Sequence, residues 1–196
     1  GQKHGLWTVT PGVWSTPNGG QFITKLSNDL STTIYSTQFG TSNGLVNISP
    51  TAFLVDVCEF VYVSGWGGSV NFEGTTNNLP LTNDALQSST DGSDLYVIVL
   101  QPDAQGLDFA TYVGGPVSAE HVDGGTSRFN KFAEVYQAGC AGCQGNSDFP
   151  TTPGAHSATN GSGFCNLACF KMELQLPGIL ADFKPDPDSG GCAPQT

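Results

Sequence analysis

Four of the six cysteines lie close together in the second half of the chain, at spacings that could support chemistry. Cys140 and Cys143 form a Cys-x-x-Cys pair, and Cys165 and Cys169 follow a glycine-rich stretch. Two such pairs could supply four thiolates to a structural zinc ion, and a single Cys-x-x-Cys pair also occurs in dithiol redox centres. The sequence alone therefore offers three roles for these residues: metal ligand, redox centre or disulfide.

Disulfides are the role that we expect. A zinc site would leave two of the six cysteines over, and a redox cysteine usually begins a helix that lowers its pKa, whereas a strand followed by a loop is expected here. Six cysteines together with few lysines also favour an oxidising, extracellular setting. We expect the four clustered cysteines to pair mostly among themselves. The disulfide candidates are Cys58, Cys140, Cys143, Cys165, Cys169 and Cys192.

A second concentration of reactive side chains is the stretch EHVDGGTSR, which holds Glu120, His121, Asp123 and Arg128. An acid, an imidazole and a guanidinium this close could form a ligand site or a small hydrolytic site. They could equally form an ion-paired loop that orders a glycine-rich turn, and this is the interpretation that we favour. No catalytic residue and no metal ligand is assigned.

Other candidate ligand-binding residues are aromatic or acidic. Trp7 and Trp14 could stack on sugar rings, whereas Trp66 falls at the end of a predicted strand and is expected in the core. The carboxylates are dispersed and match no calcium-binding repeat. No cofactor is therefore assigned, and a structural calcium ion is left as an open alternative.

Composition excludes several classes of function. The chain has 17 acidic and 6 basic residues in 196, for a formal charge of −11. Phosphate backbones require clustered cationic side chains, so nucleic acid is not an expected partner. No apolar run approaches the roughly 20 residues of a membrane-spanning helix, so membrane insertion is not expected either.

An internal repeat dominates the sequence. QFITKLSNDLSTTIYSTQFG, from Gln21, aligns without a gap to LYVIVLQPDAQGLDFATYVG, from Leu95. The same spacing relates EFVYVSGW, from Glu59, to AEVYQAGC, from Ala133. CFKMEL, from Cys169, begins a third copy. A repeat of this length, about 74 residues, indicates an architecture built from stacked or radially arranged units.

Each unit is predicted to contain four short antiparallel strands, because its apolar runs are rich in β-branched and aromatic residues and are separated by turn residues. We therefore predict an all-β fold of β-propeller-type blades with little helix. Repeat 1 spans 21–94, repeat 2 spans 95–168, and 169–180 hold the first strand of a third repeat. Residues 1–20 are expected to end a preceding blade or connection, and 181–196 to form a linker and the start of a further domain.

The motifs FITKL, AFLVDVCEFVYVSGWGG and NSDFPTTPGA resemble the bacterial β-propeller repeat family abbreviated SBBP, in the form found in very large surface proteins of gliding bacteria. The segment ILADFKPDPDSGG resembles the start of a PKD domain, an immunoglobulin-like sandwich. The resemblance implies export by the type IX secretion system and display on the bacterial cell surface. Two units and one strand are too few for a closed propeller, which needs about 4 to 8 blades.

We accordingly expect a non-enzymatic, extracellular structural or adhesive module of a giant surface protein, such as a filament or a hook-like attachment appendage. Its expected partners are other domains of the same long chain, identical chains in a filament, and cell-surface glycans. A carbohydrate-binding propeller is the alternative, and a hydrolase that uses the Glu120 to Arg128 loop is a weaker one.

Overall fold

The computed structural model describes residues 1–2, 5–68, 74–123, 127–130, 132 and 134–174. These residues form nine strands and one three-residue 3-10 turn, Pro102–Ala104. In chain order the strands are β1 (Gln21–Leu26), β2 (Thr33–Phe39), β3 (Ser49–Val55), β4 (Val61–Trp66), β5 (Leu95–Leu100), β6 (Leu107–Val113), β7 (Ser127–Phe129), β8 (Glu134–Ala141) and β9 (Asn166–Glu173).

All pairing among these strands is antiparallel, in three separate sheets. The first sheet contains β1 and β2, the second has the order β3-β4-β5-β6, and the third has the order β7-β8-β9. The prediction of an all-β, antiparallel fold with little helix is confirmed. The described strands do not close into a ring or barrel, so the propeller itself stays a prediction.

The sheets are offset from the sequence repeat by half a unit. Repeat 1 supplies β1 to β4 and repeat 2 supplies β5 to β8, yet β4 pairs with β5 through six residue pairs from Val61↔Leu100 to Trp66↔Leu95. The second sheet therefore joins the last two strands of one unit to the first two of the next. The third sheet continues this pattern, because β8 of repeat 2 pairs with β9 of the third copy.

The second sheet is buried on both faces. Along β5 the side chains alternate, as the two-residue period of a strand requires: Tyr96, Ile98 and Leu100 pack towards the first sheet, and Val97 and Val99 pack towards the third. All five are fully buried. A strand that is apolar at every position is thus explained by two cores, one on each side of the sheet.

Corresponding strands of the second and third sheets face each other. The Ser127 hydroxyl of β7 donates a hydrogen bond to the Thr51 hydroxyl of β3 at 2.7 Å, and the Ser64 hydroxyl of β4 donates to Gln137 Oε1 of β8 at 3.3 Å. Stacking of like strands on like strands is the packing expected of repeated units.

A connecting segment covers the outer edge of the second strand in each complete unit. Thr10 exchanges two hydrogen bonds with Ser36 of β2, one through its backbone N–H and one through its hydroxyl, both at 2.9 Å. Thr82 does the same with Ala110 of β6, at 3.4 and 3.0 Å. Thr152 holds the matching place in FPTTPGA, and it is exposed.

The segment predicted to resemble a PKD domain, 181–196, lies outside the described residues, as does Cys192. Strand β9 begins at Asn166, three residues before the predicted start of the third copy at Cys169. Among the described residues, none forms a helix long and apolar enough to cross a bilayer.

Candidate functional site

The cluster that could do chemistry forms where a loop runs alongside the end of β8. His121 and Cys140 exchange backbone hydrogen bonds at 3.1 and 2.9 Å, and the backbone N–H of Cys143 donates to the carbonyl of Ala119 at 3.3 Å. A Cβ added at Gly139 would lie 2.7 Å from the His121 carbonyl oxygen, so only glycine permits this approach. The two predicted candidate stretches are therefore neighbours in space.

Five side chains meet there, and we call them the His121 cluster: His121, Asp123, Cys140, Cys143 and Cys165. The imidazole Nε2 of His121 lies 3.5 Å from Asp123 Oδ2, and the Cys140 thiol lies 3.7 Å from the same carboxylate oxygen. The imidazole Nδ1 lies 3.7 Å from Cys143 Sγ. His121 thus stands between a thiol and carboxylate on one side and a disulfide sulfur on the other.

The surroundings hold the imidazole in place. The Trp66 ring at the end of β4 packs against it with ring centroids 5.7 Å apart, and only 12% of the His121 side chain is exposed. Burial, reinforced by the neighbouring Asp123 carboxylate, raises the pKa of the Cys140 thiol. The cluster opens to solvent at Asp123, whose side chain is 81% exposed.

The disulfide prediction is right for some cysteines and wrong for others. Cys143 and Cys165 form a disulfide, and Cys58 also takes part in one. Cys140 and Cys169 are free thiols, which corrects their assignment as disulfide partners. The strand register explains why they do not pair with each other: Cys169 lies opposite Ala138 and Cys140 lies opposite Leu167. They are therefore diagonal neighbours on adjacent strands. Their Cα atoms are expected to lie about 7 to 8 Å apart, which is too far for a disulfide.

Glu120, although next to His121 in sequence, points into the interior. Its carboxyl accepts hydrogen bonds from the Ser118 hydroxyl at 3.0 Å and from the backbone N–H groups of Gly115 and Gly142 at 3.2 and 3.3 Å. It also hydrogen-bonds the buried carboxyl of Asp94. Burial, reinforced by this bond, raises the pKa of Glu120 to about 9, and burial also raises that of Asp94.

The raised pKa values of both carboxyl groups favour a proton shared between them. Asp94 Oδ1 is buried and finds no other hydrogen-bond donor among the described residues, so a protonated Glu120 supplies the donor it needs. A Cβ at Gly114 would lie within 2.4 Å of both carboxyl groups, so the pair also requires glycine at this position. Since both carboxyl groups are almost inaccessible to solvent, the arrangement is a structural one.

The remaining predicted site residues lie apart from the cluster. Arg128 is exposed on β7 opposite Tyr136, so the predicted loop of Glu120, His121, Asp123 and Arg128 is brought together only at His121 and Asp123. Trp7 stacks on Phe22 with centroids 3.7 Å apart and donates its indole N–H to Ser36 at 2.7 Å. Trp14 packs against the core between the first two sheets. Glycan stacking on these two rings stays a prediction.

A comparison of the two repeats contains a sequence signal for the cluster. In the alignment of repeat 2 on repeat 1, His121, Asp123 and Cys140 take the places of Asn47, Ser49 and Trp66. In repeat 1 Asn47 ties loops together, since its amide donates to the Thr75 carbonyl oxygen at 2.9 Å. At all three positions repeat 2 carries a metal-ligating residue type that repeat 1 lacks, and the three side chains converge in space. That these three residues form one cluster can be recognised only once the strand register is known.

Comparisons with protein-family models, with curated proteins and with solved structures find no match to this chain.

Proposed function

We propose that the chain is a non-enzymatic structural and adhesive module of a long bacterial surface protein, in which successive repeat units stack face to face. The observation that carries this proposal is the half-unit offset between repeat and sheet. Because β4 and β5 belong to different units and share six residue pairs, neighbouring units are joined by a backbone ladder as well as by side-chain packing. Such a joint is suited to a stiff, extended element.

The third sheet supports continuation of the stack. In the first and second sheets, β2 and β6 each lie between a neighbouring strand and a connecting segment. At the matching place in the third sheet there is a groove of about 370 Å³, whose lining includes Phe149, Pro150 and Phe170 to Glu173. Leu79 is buried, whereas Phe149, which matches it in the repeat, is only half-buried. The groove therefore has the position of a strand of the β6 type.

Surface properties fit an extracellular role. The formal charge of −11 keeps a large assembly soluble, and the Cys143–Cys165 disulfide is compatible with an oxidising environment. Large apolar side chains, including Phe53, Phe164 and Leu167, are more than 60% exposed on the first strand of the second sheet and around β9. Exposed apolar area of this kind suits contact with further units or identical chains. Cell-surface display, type IX secretion and attachment to glycans are the parts of the proposal that rest on the resemblance.

Electron micrographs of the full-length secreted product test the proposal most directly. We expect an extended filament or appendage with a regular spacing along its length, and attachment to surfaces that is lost when the protein is deleted. A compact monomer with catalytic turnover would contradict the proposal.

A chimera tests continuation of the stack within this chain. Residues 175–187 would be replaced by the sequence of 101–113, which contains β6 and follows β5 as 175–187 follow β9. We expect slower amide hydrogen exchange in β9 and at 149–152, because a paired strand would cover both. A chimera in which the inserted residues are scrambled is the control, and equal exchange in the two chimeras would argue against the groove as a strand position.

A further inference from the structure

The His121 cluster is the place where the chain departs from its own repeat towards metal-ligating chemistry. Repeat 1 folds with Asn47, Ser49 and Trp66 at the three positions, so neither the strands nor the loop require His121, Asp123 and Cys140. The substitutions bring an imidazole, a carboxylate and a free thiol together, with all ligand atoms within 4.8 Å of one another. A need of the fold does not account for these three residue types.

We propose that His121 Nε2, Asp123 Oδ2 and Cys140 Sγ form a binding site for a divalent cation of the zinc class. The site goes beyond the structural role proposed above and does not depend on it. Mixed nitrogen, oxygen and sulfur ligands favour zinc and its neighbours over calcium or magnesium, which bind oxygen alone. Three protein ligands leave a fourth tetrahedral position for water or an added ligand.

The distances agree with this assignment. Zinc bonds of ordinary length in tetrahedral geometry place a nitrogen and an oxygen ligand about 3.3 Å apart and a sulfur and an oxygen ligand about 3.6 Å apart. The corresponding distances here are 3.5 Å from His121 to Asp123 and 3.7 Å from Cys140 to Asp123. Within these two pairs the ligand atoms therefore need to move by only a few tenths of an ångström to bind an ion, and the third pair, His121 with Cys140, lies within 4.8 Å.

The rest of the cluster orients the site. If Nε2 binds the ion, Nδ1 carries the proton and points towards Cys143 Sγ at 3.7 Å, so the disulfide borders the imidazole from behind. The Trp66 ring limits its rotation. Backbone pairing of His121 with Cys140 holds these two residues side by side. Asp123 alone is on an exposed position, which provides the entry path.

A cobalt titration of the full chain, as purified with its disulfides intact, tests the proposal. Co²⁺ bound tetrahedrally through a thiolate gives intense visible bands and a sulfur-to-cobalt charge-transfer band. We expect saturation at one Co²⁺ per chain and displacement by Zn²⁺. Cys140→Ser should abolish the charge-transfer band, while Cys169→Ser, which removes the other free thiol, should leave it unchanged.

Two further variants use the residues that repeat 1 already carries at the same places. His121→Asn and Asp123→Ser should each weaken Zn²⁺ binding at least about tenfold, as measured by competition with a chromophoric chelator. Circular dichroism checks that each variant is folded, and Cys140→Ser provides the test if either is not. The proposal would be overturned by absence of the band in the oxidised protein, by its loss in Cys169→Ser, or by binding that appears only after the disulfide is reduced.

Discussion

At the scale of single residues, we expect the buried carboxyl pair to make stability depend on pH. A carboxyl group whose pKa is higher in the folded protein than in the unfolded one holds its proton more tightly when folded, so stability falls as pH rises. For Glu120 the window runs from its ordinary pKa of 4.5 to about 9.

We therefore expect the free energy of unfolding to decline between about pH 5 and pH 9, and Glu120→Gln to flatten that decline. Glutamine cannot ionise and still offers an N–H donor to Asp94. Because one pKa unit corresponds to about 1.4 kcal/mol, the change across the window should exceed about 1 kcal/mol. Urea denaturation at a series of pH values measures it. If Glu120→Gln keeps the wild-type slope, the pair does not titrate in this window.

A second prediction at this scale concerns the turn between β3 and β4. Asp56 accepts backbone hydrogen bonds from Cys58 and Phe60, each at 2.9 Å, and one from the Tyr62 hydroxyl at 2.8 Å. Asn130 occupies the matching place in repeat 2 and accepts the two matching backbone bonds, at 2.9 and 3.0 Å.

Asp56→Ala should therefore cost about 2 to 3 kcal/mol in thermal or chemical unfolding, since three donors lose their acceptor. Asp56→Asn is the matched variant, because the second unit already uses asparagine for this turn. We expect it to cost clearly less. Equal losses in the two variants would show that the charge, rather than the turn geometry, matters.

The sequence predicted part of the candidate site. It identified the two stretches that hold His121 and Cys140, because histidine and cysteine can be recognised directly in the sequence. It did not predict that these two stretches are in contact. It also grouped Glu120 and Arg128 with His121, although side chains of neighbouring residues along a loop or strand point in different directions. It also could not separate Cys140 from the disulfide-bonded cysteines, since the separation depends on the diagonal register of β8 and β9.

At the scale of elements, the connecting segment protects a strand edge, and one threonine carries much of that role. Thr82 accepts the backbone N–H of buried Ala110 through its hydroxyl at 3.0 Å. Thr82→Val keeps the shape but leaves that N–H without an acceptor, so we expect a loss of about 1 to 3 kcal/mol in chemical unfolding.

Thr152→Val provides the control in the same chain. Thr152 holds the matching place in the repeat but is exposed, and among the described residues it faces no strand comparable to β6. Its loss of stability should be close to zero. A large effect at Thr152 would mean that its hydroxyl already has a strand partner.

The strands can be compared with the predicted repeat units. Apolar runs bounded by turn residues predicted four strands per unit, and among the described residues β1 to β4 lie within 21–94 and β5 to β8 within 95–168. The sequence did not predict which strands share a sheet. The repeat spacing is equally compatible with a sheet formed by the four strands of one unit and with a sheet formed by half of one unit and half of the next. Hydrogen bonding between β4 and β5 decides this, and it has no signature in residue type.

At the scale of the whole molecule, the second sheet joins two separate cores through neighbouring residues. Ile98 belongs to the core shared with the first sheet, and Val99 to the core shared with the third. Both are fully buried.

We expect Ile98→Ala to cost about 2 to 5 kcal/mol and to increase amide exchange mainly in β1 and β2, because the cavity lies on that side. Val99→Ala should instead increase exchange mainly in β7 to β9. Hydrogen exchange followed by mass spectrometry distinguishes the two patterns, and each variant is the control for the other. Uniform acceleration in both would mean that the three sheets open together.

The offset between repeat and sheet has a mechanical consequence. If the ends of a stack are pulled apart, two successive units cannot separate by parting their side chains alone, since the ladder between β4 and β5 must break first. The load then falls on backbone hydrogen bonds at each junction, because each bonded sheet spans the point where two repeats meet. Resistance to tension would therefore be set by backbone pairing, which any sequence compatible with a strand can provide, and the side chains would remain free to vary from unit to unit.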